Sequence, residues 1–255
     1  MNLRRFVRDL AHVAGINLYQ LASLRRLPRY IGDWRRYERL RSNGAFPAKT
    51  RYAMPILVDY ATQAGVVTGH YFHQDLWAAR KIFLARPERH VDVGSRLDGF
   101  VAHLLTFMPV TVVDFCPLDH RVHGLTFVQG DMTRLNFPDG SIESLSCLHA
   151  LEHVGLGRYG DPIDPDGWRR ALAELARVVK PGGHLYFSVP VGGPERVRFN
   201  ADRVFAARTI PAALPGLRLL EFSLVGDDER LYEQVDVTLA DRQSLGCGLY
   251  VFRKE

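Results

Sequence analysis

The sequence predicts a three-layer α/β sandwich around a mostly parallel sheet, preceded by a helical extension. Three observations carry that prediction. From residue 90 onward, short apolar runs alternate with helical patterns, as parallel strands joined by crossover helices do. The first run, His90-Val91-Asp92-Val93, leads into Gly94-Ser95-Arg96-Leu97-Asp98-Gly99-Phe100. That is a tight strand-to-helix turn, with glycines where backbone approaches a ligand and a helix N-terminus offering free N–H groups. The chain then ends in two strands, 217–225 and 248–253, separated by charged, turn-rich sequence, which predicts an antiparallel pair.

Residues 1–41 read as two amphipathic helices split at Pro28: Leu3, Phe6, Val7, Leu10, Val13 and Ala14 keep helical spacing, and a second run passes through Trp34, Tyr37 and Leu40. This extension is strongly basic. Residues 1–51 carry twelve Lys/Arg against three Asp/Glu, whereas the remainder is slightly acidic. Two readings follow: a solvated helical pair, or a peripheral contact with an anionic membrane through residues 1–41. Nucleic acid is not expected, because no recognised binding motif accompanies the charge. Residues 42–69 read as a Gly- and Pro-bearing linker, so the expected division is 1–69 and 70–255.

Residues 70–85 form a predicted helix leading into strand 90–93, with a further helix at 98–106. Strands follow at 110–114, 125–128 and 144–148, then a short helix at 149–154 and a Gly/Asp/Pro-rich loop at 155–167. Helix 168–179 stops at Lys180-Pro181-Gly182-Gly183, before strand 184–189. The expected sheet therefore has seven strands, the last one antiparallel. No run approaches the eighteen apolar residues of a membrane span, and no signal-peptide pattern follows the basic N-terminus. With three widely spaced cysteines, this places the chain in the reducing cytoplasm, peripheral to a membrane in the second reading of its extension.

Asp114 closes the second strand, where a carboxylate accepts both hydroxyls of a ribose. The first turn is not Gly-x-Gly-x-x-Gly, which argues against a dinucleotide. Gly130-Asp131-Met132 after the third strand supplies a carboxylate for an adenine amino group and an apolar side chain for its face. Together, in this order, these features resemble the class I S-adenosylmethionine-dependent methyltransferases, a Rossmann-like family. The resemblance implies S-adenosylmethionine as cofactor, held by Asp92, Gly94, Ser95, Arg96, Gly99, Asp114, Asp131 and Met132. The departure is Arg96, where the family carries a glycine; it would meet the cofactor carboxylate or a substrate acid. Further runs, Gly69-His70-Tyr71-Phe72-His73-Gln74-Asp75-Leu76-Trp77 and Gly157-Arg158-Tyr159-Gly160-Asp161-Pro162 among them, are similar to an uncharacterised methyltransferase-like family associated with bacterial polysaccharide biosynthesis. That resemblance implies a sugar or glycan-linked acceptor, met by His73, Arg158, Tyr159 and Asp161.

His149-Ala150-Leu151-Glu152-His153 begins where the fourth strand ends. Positions i, i+3 and i+4 share a helix face, so the three polar side chains could converge. Either histidine could act as a general base for O-methylation, oriented by Glu152. Alternatively His149, Glu152 and His153 ligate a divalent cation, or the segment is a capped helix start without chemistry. The same five residues match an inverted zinc-protease pattern, but its context would be a long helix. A methyltransferase-like binding protein that transfers nothing is the alternative from another class, favoured by Arg96.

Overall fold

The computed structural model describes residues 18–41, 46–61, 67 and 69–255. The chain divides into two compact units, Met1–Val66 and Val67–Glu255. The helix expected over residues 3–14 lies outside the described residues.

In the first unit, Leu18–Ser23 is α-helical, Leu24–Arg26 makes a 3-10 turn, and helix α1 spans Leu27–Leu40. The second helix expected from Pro28 is found, starting one residue earlier at Leu27. Proline sits in the first turn of α1, where no N–H is needed, and the preceding Arg26 keeps right-handed helical angles. The segment from 46 to 60, expected as a loose linker, is tied to the helix by polar bonds. Trp34 Nε1 donates to the Ala48 carbonyl at 2.8 Å, the Tyr37 hydroxyl to Phe46 O at 2.9 Å, and Arg26 to Leu57 O and Val58 O at 3.0 and 3.1 Å. Glu38 accepts the Ala48 N–H at 2.6 Å. Over residues 21–41 and 46–60, Ser23 and Leu57 alone are buried.

The second unit opens with helix α2, His70–Ala85. Its strands are β1 (His90–Val93), β2 (Val110–Asp114), β3 (Leu125–Gln129), β4 (Ile142–Leu148) and β5 (Val179–Val191). Then come β6 (Arg196–Arg198), β7 (Asp202–Val204), β8 (Leu217–Val225), β9 (Leu231–Tyr232) and β10 (Gly246–Lys254). The main sheet has eight strands in the order β3-β2-β1-β4-β5-β10-β8-β9, one more than expected. The addition is β9, whose two residues are too few to show a periodicity. Strands β1 to β5 are mutually parallel, and β10 lies antiparallel between β5 and β8. A separate hairpin pairs β6 with β7.

The period-2 alternation of side chains along β5 and β10 builds two cores, one on each face. Phe187, Tyr250 and Phe252 pack with Trp168, Leu172 and Leu175 of helix α3, Gly167–Val178. Tyr186, Leu249 and Val251 pack on the opposite side with Trp77, Ala78 and Ile82 of α2. Two local expectations change. The helix at 98–106 is a π-type turn, Leu97–Val101, followed by Ala102–Leu104. Lys180-Pro181-Gly182-Gly183 is not a break before β5 but an excursion inside it. The register passes from Ile142↔Val179 to Ser144↔His184, and Gly182 takes φ +78°.

Candidate active site

The carboxyl ends of β1, β2, β3 and β4 open onto one cleft of about 540 Å³. It is lined by Gly94, Ser95 and Arg96 after β1, Asp114 at the end of β2, Asp131 and Met132 after β3, and His149 and His153 after β4. Gly94 has φ +75°, and a Cβ there would lie 2.8 Å from the Ala150 Cβ and 3.4 Å from the Met132 methyl. The turn thus keeps room that any side chain would fill. Burial raises the half-buried Asp114 carboxyl above its ordinary range, and its Oδ1 accepts the Cys116 N–H at 2.8 Å. Asp131 uses Oδ1 alone for both the N–H and the hydroxyl of Thr133, at 2.7 and 2.8 Å. This set fits an adenosyl group: a cleared backbone turn, two acidic strand ends with oxygen to spare, and the thioether of Met132.

Asp92 and Gly99 do their work behind that wall. Asp92 is wholly buried in β1. It accepts the Ser95 N–H at 3.0 Å, the Ser95 hydroxyl at 2.6 Å and the Ser146 hydroxyl at 2.5 Å. Burial pushes its pKa up to about 6, against those three hydrogen bonds. Ser95 Oγ also accepts the Leu148 N–H at 2.9 Å, so the pair stitches the turn to β4. Gly99 lets α2 approach, since a Cβ would strike the Asp75 carboxylate. Arg96 lines the cleft with its guanidinium already paired: Nε and Nη2 donate to Asp98, at 3.0 and 2.8 Å, and the group lies 4.8 Å over the Tyr71 ring. His73 bonds Glu229 O at 2.9 Å and does not line the cleft.

His149, Glu152 and His153 do converge, by a different route from the predicted one. The segment is a 3-10 turn, Leu151–His153, and His149 precedes it in the left-handed region at φ +50°. Glu152 is buried beneath the two imidazoles. Its Oε1 lies 2.7 Å from His149 Nδ1 and 3.7 Å from His153 Nε2, while Oε2 has no hydrogen-bond partner. His149 is spent at both ring nitrogens, because Nε2 lies 3.2 Å from Cys247 Sγ. Burial works against its charge, but its contacts with Cys247 and Glu152 outweigh it and raise its pKa well above the ordinary value. His153 instead donates from Nδ1 to the Ala201 carbonyl at 2.6 Å, which leaves Nε2 with its lone pair. Burial lowers the His153 pKa, reinforced by the Arg158 charge and opposed by Glu152.

A divalent cation does not fit these three residues. Their ligand atoms do not converge as a cation would need, and His149 has both ring nitrogens engaged, by Glu152 and by Cys247. A different trio, His70, His149 and Cys247, brings its ligand atoms within 4.8 Å of one another. The His70 and His149 rings stack, 5.3 Å apart at 22°, so their in-plane lone pairs do not meet at one point.

The loop after the turn also lines the cleft, through Arg158, Tyr159 and Asp161. Asp161 accepts the N–H groups of Gly155, Gly157 and Tyr159 at 2.8, 3.3 and 3.2 Å, and so holds the loop's own backbone. Arg158 Nη1 donates to Ala201 O at 2.9 Å, the carbonyl that also fixes His153. Sequence reasoning missed His70, Cys247 and the buried Arg203, which binds the carbonyls of Glu152 and Val154. Cys247 arrives on β10 from 98 residues beyond His149, a pairing that only the sheet order creates.

This is the fold of the class I S-adenosylmethionine-dependent methyltransferases. Solved structures share it at low sequence identity. The N-methyltransferase NodS of Bradyrhizobium japonicum aligns with TM-score 0.50 and 16% identity over 74% of this chain and 99% of that one. The 1,6-didemethyltoxoflavin-N1-methyltransferase of Burkholderia thailandensis, solved with S-adenosylhomocysteine, aligns with TM-score 0.50 and 20% identity over 71% and 78%. In sequence the chain is similar to the demethylmenaquinone methyltransferase of Renibacterium salmoninarum, 34% identical over 34% of this chain and 32% of the relative. It is also similar to the fatty-acid O-methyltransferase of Mycolicibacterium smegmatis, 31% identical over 40% and 36%. The chain thus spans about a third of the length of these curated relatives. Residues 136–244 match the family described as Caenorhabditis protein of unknown function, DUF268.

Proposed function

We propose that this chain transfers a methyl group from S-adenosylmethionine to a hydroxyl oxygen of an acceptor with a large apolar body. The observation that carries the reading is His153: it lines the cleft, its tautomer is set by Ala201, and Nε2 is the ring nitrogen left to take a proton. The cofactor supplies a methyl already activated by the sulfonium charge, so the protein's tasks are positioning and proton removal. Asp114 would accept the ribose hydroxyls, Asp131 the adenine amino group, and Gly94 and Met132 would bracket the nucleoside. As the acceptor hydroxyl loses its proton to Nε2, the Glu152 carboxylate beneath stabilises the imidazolium that forms. Arg158, 3.2 Å from His153 Nδ1, favours the neutral ring beforehand.

The loop aspartates weigh against a sugar acceptor and for an apolar one. Asp161 serves its own backbone, and Asp164 accepts the Asp166 N–H at 3.2 Å, which leaves few carboxylates for sugar hydroxyls. The rest of the cleft wall includes Tyr71, Phe115, Val154 and Tyr159. Relatives named for a menaquinone precursor and a fatty acid are consistent with this choice.

Calorimetric titration with S-adenosylhomocysteine and NAD tests the cofactor half, and the reading expects binding of the first alone. Tritium transfer from labelled S-adenosylmethionine to quinol, fatty-acid and oligosaccharide acceptors tests the other half. Binding without transfer to any of them would favour the non-catalytic alternative. Transfer to the oligosaccharide alone would overturn the acceptor class.

A further inference from the structure

We propose that the helical run over residues 18–40 carries a docking face for an anionic lipid bilayer. Leu21, Leu24, Leu27 and Ile31 follow one another at spacings of three, three and four, which places them on one face of a helix. They are 53%, 56%, 39% and 37% exposed, on a unit whose described residues form no apolar core. Because Leu24–Arg26 joins the two α-helical stretches without an extended residue, the stripe continues across the join.

The charges around the stripe select the partner. Arg26 is spent on the carbonyls of Leu57 and Val58, and Arg41 on Glu38. Arg25, Arg35, Arg36 and Arg39 have no such partner among the described residues. Arg25 adjoins Leu24, and Arg35 lies one turn beyond Ile31. Their stems can lie along apolar surface while the guanidinium reaches a phosphate. Apolar side chains on one face with arginines beside them is the pattern of a helix lying in the plane of an anionic membrane surface. No described helix is long and apolar enough to cross a membrane, so the contact proposed is peripheral. The proposal does not depend on the methyl-transfer reading.

The test is co-sedimentation of the full chain with phosphatidylcholine vesicles with and without phosphatidylglycerol. Binding is expected to the anionic vesicles only, and to fall as salt is raised. Leu24→Glu with Ile31→Glu should weaken it by about tenfold or more. Arg25→Gln, Arg35→Gln, Arg36→Gln and Arg39→Gln together should do the same. An unchanged thermal transition by circular dichroism confirms that each variant is folded. Equal binding to both vesicle types, no binding to either, or a Glu variant that binds like the parent would overturn the proposal. So would a parent dimer that the Glu variant converts to monomer, which would assign the stripe to a second copy of this chain.

Discussion

Residues 67–255 place Phe187, Phe252, Trp77 and Leu172 inside two clusters flanking a sheet, while residues 18–61 leave Leu21, Leu24 and Phe46 in solvent. The larger unit is held by burial, to which each large apolar side chain contributes about 1.5–3 kcal/mol. The smaller one takes its form from side chains that bind backbone, as Trp34, Tyr37 and Arg26 do, at about 0.5–1.5 kcal/mol each. A unit shaped by polar bonds leaves Leu21, Leu24, Leu27 and Ile31 exposed, and the bilayer proposal rests on that surface.

The comparison breaks first if the two units respond alike to truncation. Phe187→Ala removes a ring wholly buried between β5 and α3, and should cost about 3–5 kcal/mol in urea unfolding. Chemistry is the next arm, since every cleft residue belongs to the larger unit. His153→Ala should lower kcat by about a hundredfold or more while S-adenosylhomocysteine affinity and the thermal transition stay near the parent. Asp114→Asn should invert that pattern, with affinity weakened by about tenfold or more. An equal loss of kcat in His149→Ala and His153→Ala, with folding intact, would mean that the Cys247-bound ring is not merely supporting Glu152.

The sheet was legible because strand and helix periods alternate, and because β1, β2 and β3 each end in a Gly or Asp signal. Asp114, Asp131 and Met132 could be found that way, since a strand end is a local feature. The roles around them were not local. Asp92 looks in sequence like a ligand-facing carboxylate, yet the Ser146 hydroxyl from the neighbouring strand claims it. The three polar residues after β4 were expected to meet on a helix face, and they meet instead because His149 takes a left-handed conformation. Pro28 marks the start of a helix to within one residue, because a first-turn proline is a local signal, whereas the 3-10 turn Leu24–Arg26 that leads into it carries none.

A smaller effect separates the charges that tune the site from those that hold it. The working form of His153 is neutral, and burial and then the Arg158 charge keep its pKa below the ordinary histidine value. Turnover should therefore rise with pH through that lowered pKa, with the midpoint of the acid limb below the ordinary histidine value of about 6.5. Arg158→Gln removes one of the lowering influences, so the acid limb should move to higher pH with little change in the plateau. A limb that stays in place would show that burial alone sets it.

The smallest expected effect is the most exacting check on the contrast between the units. Leu24→Ala removes as many carbon atoms as a core truncation would, but from a side chain 56% exposed, so no cavity forms and little surface returns to water. Its urea midpoint should stay within about 0.5 kcal/mol of the parent. Trp34→Phe, which keeps an aromatic ring but loses the bond to the Ala48 carbonyl, should loosen the segment from 46 to 60 by about 1 kcal/mol. Amide exchange at Ala48 and Tyr52 reads that loosening directly, because their N–H groups bind Glu38 Oε1 and the Lys49 carbonyl. If Leu24→Ala proved the more damaging of the two, the apolar stripe would be part of a folded interior, and the argument that it is reserved for an outside partner would fail with it.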